Sequence, residues 1–180
     1  MRYTLDWLLT QYEQSVPLKY LFVWGHQPRR DGQLSESCLS QWWVAPFEID
    51  GLRYTTAEHY MMAEKARLFN DEEVLIKILG CISPAEAKKL GRTVQDFSAE
   101  LWDNQCFAIV VTGNYYKFSQ NPDLRNYLRT TGNRILVEAS PVDSIWGIGL
   151  AKDNADIERP VKWPGKNLLG FALMEVRDQL

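Results

Sequence analysis

Residues 47–69 read FEIDGLRYTTAEHYMMAEKARLF, from Phe47 to Phe69, and this one stretch holds both kinds of secondary structure. Phe47-Glu48-Ile49 and Leu52-Arg53-Tyr54 flank Asp50-Gly51, the two-residue signal of a tight hairpin. Thr55 then opens a helix. At 100° per residue Glu58, Met61, Met62, Lys65 and Phe69 fall within an arc of about 100°, the expected apolar stripe. A hairpin running straight into a helix points to a mixed α+β domain.

Outward from this stretch the helical signals dominate. Upstream, Tyr20 to Trp24 is a β-prone run stopped by Gly25, followed by a polar loop with Pro28, Arg29, Arg30, Asp31 and Gly32. Downstream, Asn70-Asp71 leads into a helix ending at Gly80, and Ser83-Pro84-Ala85-Glu86 carries a capping serine and a first-turn proline, with Gly91 as the stop. A longer helix is predicted from after Ser98 to about Phe118, its stripe including Leu101, Trp102, Cys106, Ile109 and Val110. Asn121-Pro122 opens another that stops near Gly132. Ile135 to Glu138 reads as a strand, residues 140 to 166 as loop, and Leu168 to about Asp178 as a last helix. The expected fold is α+β, predominantly helical, with a few short strands and one compact domain over residues 1–180.

The chain has 180 residues, 46% of them hydrophobic and 24% charged, which suits a globular domain and argues against disorder. A net charge of −3 argues against a protein whose main task is to neutralise a phosphate backbone. No apolar run has the length of a membrane span, and the N-terminus lacks the pattern of a signal peptide. Cys38, Cys81 and Cys106 are widely spaced and odd in number, which suggests neither disulfides nor a zinc ribbon and points to a reducing, cytoplasmic compartment. His26 and His59 are the only histidines, so neither metal coordination nor a Ser-His-Asp triad has support. No cofactor, metal or obligate protein partner is expected.

Three segments could carry chemistry. Glu58 and Lys65 sit on a stripe that should be buried, and either ion alone there is costly. The bland alternatives are a capping box, Thr55-x-x-Glu58, and a lysine that packs its stem while its amine reaches solvent. Asp143 to Gly149 places Trp146, Gly147 and Gly149 where backbone could approach a ligand and an aspartate could orient a hydroxyl; the alternative is an ordinary glycine turn. Gly165-Lys166-Asn167 heads the last helix, where a lysine and open N–H groups suit a phosphate. Trp102 lies on a helix face where core packing is the default.

Together these segments resemble the NADAR, or YbiA-like, family of N-glycosidases, from about Tyr20 to Arg177. The resemblance rests on Ser40 with Trp42 and Trp43, Pro46-Phe47, Asp50-Gly51, Thr56-Ala57-Glu58-His59-Tyr60 with Lys65 and Phe69, Trp102, Lys117-Phe118, Leu136-Val137-Glu138, Asp143 to Gly149, and Gly165 to Gly170 with Leu173 to Arg177. It implies cleavage of phosphoribosylamino-pyrimidine intermediates of riboflavin synthesis, or removal of ADP-ribose from modified guanine, which could lie in nucleic acid. It also implies that Glu58, Trp102 and Asp143 match active-site positions, with Lys65 and Asn167 in the same pocket. Two departures bear on the base-side pocket. Ser40-Gln41-Trp42 stands where many members read Ser-Asn-Phe, and Met61-Met62 where many carry glutamine.

Cleaving a ribosyl C–N bond builds positive charge on the sugar and negative charge on the leaving nitrogen. Glu58 is the expected carboxylate, and Asp143 the partner acid-base or the holder of ribose hydroxyls. Trp102 would stack on base or ribose, Lys166 and Asn167 would hold phosphate or a hydroxyl, and Ser40 and Trp42 with Trp146, Gly147 and Gly149 would complete the pocket. Lys65 has two open roles: pairing with Glu58, or forming a Schiff base at the anomeric carbon. The competing class is a non-catalytic binder of ADP-ribose or a related nucleotide, which needs the aromatics and glycines but not both ions.

Overall fold

The computed structural model describes all residues from Met1 to Leu180 and contains seven α-helices and four short strands, a helix-dominated α+β protein. Two compact units divide the chain: residues 1–40 with 123–180, and residues 41–122.

In the first unit β1 (Tyr20–Val23) pairs in parallel with β4 (Ile135–Glu138), with Tyr20 opposite Ile135 and Val23 opposite Glu138. Ile135, Leu136 and Val137 are all buried, as parallel strands covered on both faces require. The last helix, α7 (Leu168–Gln179), packs on β4, and its face from Leu169 to Met174 is buried. Pro122–Thr130 forms α6. An N-terminal helix, α1 (Leu5–Glu13), adds to the sequence reading; Thr4 caps it, accepting from the Trp7 amide at 3.0 Å. Arg2 and Tyr3, just ahead of it, both donate to Asp178 of α7, at 2.6 and 2.7 Å.

Asn167 ties β4 to α7. It is fully buried and left-handed (φ 55°), its Oδ1 accepts from the Glu138 amide at 3.0 Å, and its Nδ2 donates to the Leu136 carbonyl at 2.9 Å. Asn167→Ala would strand two buried backbone groups, at about 1–3 kcal/mol each. A loss of about 2–6 kcal/mol in denaturant unfolding is expected; a loss below ~1 kcal/mol would show that the strand does not depend on this tie.

In the second unit the hairpin forms as read, β2 (Phe47–Ile49) against β3 (Leu52–Tyr54), with Asp50 and Gly51 both at positive φ, 51° and 77°. Helix α2 (Ala57–Leu68) follows and meets α3 (Glu72–Gly80), α4 (Pro84–Gly91) and α5 (Ala99–Gln120). The sequence predicts one apolar stripe on α2, but every residue from Ala57 to Ala63 is buried, so its first two turns are covered on all sides. Close helix contact explains two glycines: a Cβ at Gly91 would meet the Met62 sulfur at 2.1 Å, and one at Gly113 the Tyr60 ring at 2.5 Å. On α5 the predicted stripe holds from Cys106 onward only. Leu101 is exposed, Trp102 and Ile109 are half-buried, and the buried line continues through Val110, Gly113, Asn114, Lys117 and Phe118.

Candidate active site

The second unit holds Glu58, Lys65, Trp42 and Trp102. Thr56, not Thr55, caps α2: its hydroxyl accepts from the His59 amide at 3.4 Å and lies 2.8 Å from His59 Nδ1. Glu58 is therefore the second residue of the helix, one place short of the third position that a reciprocal capping box needs. Its own amide donates to the Gln41 carbonyl at 3.1 Å. The carboxylate, on a residue only 4% exposed, sits in the first helical turn, where the macrodipole favours negative charge.

Lys65 lies two turns further along α2, about 10 Å in axial rise. Its Nζ donates to the Gly91 carbonyl at 2.9 Å and stands 4.1 Å from the centre of the Phe97 ring and 5.6 Å from that of Trp102. The close approach of Met62 to Gly91 brings that carbonyl within reach, because Lys65 follows Met62 by three residues. The ammonium thus goes to α4 and to two rings, and not to Glu58. Burial, reinforced by the positive charge of Arg92, holds its pKa below the ordinary lysine range.

Trp102 is half-buried on the exposed first turn of α5. Trp42 is half-buried too, with Lys88 Nζ 5.9 Å from its ring centre. Sequence reading passed over Phe97, an exposed ring beside Lys65, and over Asn114, which donates to Gln41 Oε1 at 2.7 Å. Asn114 was legible as a polar residue four places after Val110 on the buried line of α5.

His59 is buried, and burial lowers its pKa, with the Cys81 backbone and Glu86 opposing. The unfolded chain therefore takes up this proton first as pH falls below 6.5, the ordinary histidine value. The neutral-histidine contribution to stability is full above that pH and is lost as pH falls toward the folded pKa. The melting temperature should drop across that window, and His59→Asn should flatten the drop; an equally steep drop in the variant would clear His59 of any part in it.

The first unit holds Ser40, Asp143, Trp146, Gly147, Gly149, Lys166 and Asn167. Ser40 ends a 3-10 turn, its amide donating to Ser37. Asp143 is half-buried, and its Oδ1 accepts the amides of Ile145 at 3.0 Å and Trp146 at 2.8 Å, so this oxygen shapes the loop. The two glycines admit protein rather than open space for a ligand: a Cβ at Gly147 would meet the Asp143 and Glu138 carbonyls at 2.8 and 2.9 Å, and one at Gly149 a carbon of Pro164 at 2.7 Å. The amides expected to receive a phosphate at the start of α7 are spent. Those of Lys166, Asn167, Leu168 and Leu169 donate to the carbonyls of Ser144, Gly147, Ile145 and Trp146. Lys166 keeps an exposed side chain, while both ends of the Asn167 amide are committed to β4. Trp146 is half-buried in the same loop.

No three His, Cys, Asp or Glu side chains gather where a metal could bind, and no helix is long and apolar enough to cross a membrane.

The NADAR domain pattern matches residues 24–180, through both units. The chain is 45% identical over 166 residues to an N-glycosidase of Acanthamoeba polyphaga mimivirus, covering 89% of this chain and 96% of that one. It is 33% identical over 135 residues to N-glycosidase YbiA of Escherichia coli, covering 75% and 76% respectively. The solution structure of Escherichia coli YbiA superposes with a TM-score of 0.71 at 27% identity, over 89% of this chain and 84% of that one.

Proposed function

The chain belongs to the NADAR domain family and is an N-glycosidase, a hydrolase of N-glycosyl bonds, and from that premise we propose that its substrate joins a phosphorylated ribose to a base-like leaving group. The two substrate classes are a ribosylamino-pyrimidine phosphate and ADP-ribose attached to guanine. The observation that carries the reading is Glu58: a buried carboxylate in the first turn of α2, outside the capping register, on the same helix as a lysine of depressed pKa.

In this mechanism the Glu58 carboxylate faces the anomeric carbon as positive charge develops there. The half-buried Trp102 ring stacks on base or ribose, a contact of about 1–3 kcal/mol for a base. Lys65, whose ammonium lies against the same ring, acts at the sugar. Water is activated by a carboxylate, so no metal is required.

The test is to incubate the purified protein with ADP-ribosylated guanosine and with ribosylamino-pyrimidine phosphates, with and without EDTA, and to follow released base by chromatography. Release from one substrate class at a rate unaffected by EDTA supports the reading. Tight binding of both without release would make the protein a nucleotide binder, and loss of activity in EDTA restored by magnesium or zinc would end the metal-free mechanism.

A further inference from the structure

We infer that the buried amide pair of Asn114 and Gln41 is a positioning device for Glu58; the inference rests on the reading of Glu58 as the catalytic carboxylate. Three bonds converge on Gln41, itself 7% exposed. Asn114 Nδ2, on α5, donates to its Oε1 at 2.7 Å. Its Nε2 rests on the Met61 sulfur of α2 at 3.7 Å. Its main-chain carbonyl accepts the Glu58 amide at 3.1 Å. Gln41 thus grips α2 at two residues one turn apart, 58 and 61, and is itself fixed from α5.

The donor assignment is set by surroundings. Asn114 Nδ2 lies between two oxygens, Gln41 Oε1 and, at 2.8 Å, the carbonyl of Val110 on its own helix, so the amino end must point there. That choice leaves Asn114 Oδ1 buried without a hydrogen-bond partner on a residue with no solvent exposure. A buried orphan acceptor costs stability, and a leucine would fill the same volume without it. Asparagine at 114 satisfies the buried Gln41 acceptor while leaving its own Oδ1 unpaired, so its net effect is to hold residue 41, and through it the start of α2, more than to add stability.

The weak acceptor that Met61 offers the Gln41 amide points the same way. A thioether is a soft partner for an amide N–H, so the pair Gln41–Met61 contributes shape more than energy. Its effect is to lock the long side chain in one rotamer and its main chain in one place. A displacement of the catalytic group of about 1 Å can cost on the order of 10²-fold in rate.

The experiment uses Asn114→Leu and Gln41→Met, which keep volume and remove the bond between the two amides, with Glu58→Gln as control. Both variants should lose roughly 10- to 100-fold in kcat with KM within about 3-fold. The Glu58 amide should also exchange its hydrogen faster by NMR, since its acceptor is no longer anchored. A reciprocal pair, Gln41→Asn with Asn114→Gln, moves one methylene across the contact and should recover part of the kcat lost in Gln41→Asn alone. If Asn114→Leu does not fold, Gln41→Met and the exchange rate of the Glu58 amide give the answer. Wild-type kcat and unchanged exchange, with Glu58→Gln inactive, would overturn the positioning role and leave the catalytic reading standing. A fully active Glu58→Gln would overturn the reading beneath it.

Discussion

Glu58→Gln is expected to fold, bind substrate and turn over about 10²- to 10⁴-fold more slowly than the wild type. Glutamine has the shape of glutamate and keeps the side chain buried, but carries no charge to place against a developing oxocarbenium ion. The cost to the fold should be small. Thr56 caps α2 through the His59 amide, and the Glu58 amide is held by the Gln41 carbonyl, a backbone bond that the substitution does not touch. What the helix loses is a charge–dipole term of up to ~2 kcal/mol, offset by no longer burying an anion. The measurement is kcat and KM beside an unfolding curve. Near wild-type turnover from a folded variant would sink the assignment and move the search to Asp143, whose Oδ1 already serves two loop amides.

How much of this was legible in the sequence depended on whether the signal was local. Asp50-Gly51 adopts the positive φ values its residue types favour, and Ser83, Asp71 and Ser98 all cap the helices that follow them. Local chemistry sufficed there. The α1 helix carried comparable signs, a Thr4 cap and Asp6 in the first turn, and lacked only a long apolar period. Burial was harder to read because it depends on partners. Leu101 is apolar and exposed, while Asn114 and Lys117 on the same helix are polar and fully buried. Nothing in a 3.6-residue period says that α2 will be covered all round, or that Gly91 will sit against Met62 and bring its carbonyl to Lys65.

The site divides along the same line. Glu58, Lys65 and Trp102 stand out in the sequence as residue types set against their surroundings: ions on a face that should be apolar, and a tryptophan near a helix start. The glycine loop is read less surely, since glycine serves equally well for ligand approach and for backbone packed on backbone. At Gly147 and Gly149 the space is filled by the chain itself. The open amides expected at the start of α7 depend on where residues 144–147 lie, which no motif specifies, and those carbonyls take the amides of residues 166–169.

The sequence leaves Lys65 two roles. Pairing with Glu58 is not what the geometry supports: the ammonium goes to Gly91, Phe97 and Trp102. Burial and Arg92 both disfavour its charged form, so a neutral amine is reached at lower pH than for an ordinary lysine. That suits a nucleophile. The amine would form a bond to the anomeric carbon as the bond to the base breaks, the base leaving with the electron pair and gaining a proton. The bond from the anomeric carbon to the ring oxygen then breaks, the nitrogen lone pair closing the C=N bond and the ring oxygen taking the amine's second proton; water adds to this imine, releases the sugar and returns the amine. Lys65→Met and Lys65→Arg should both lose about 10²-fold or more in kcat, because arginine keeps the charge but cannot attack. Turnover by the wild type should rise with pH as the amine deprotonates. Borohydride added during turnover should fix the sugar to the peptide that contains Lys65, visible as a mass increase. If Lys65→Arg turned over within about 3-fold of wild type and no adduct formed, Lys65 would act by charge alone, and water directed by Glu58 would attack the sugar without a covalent step.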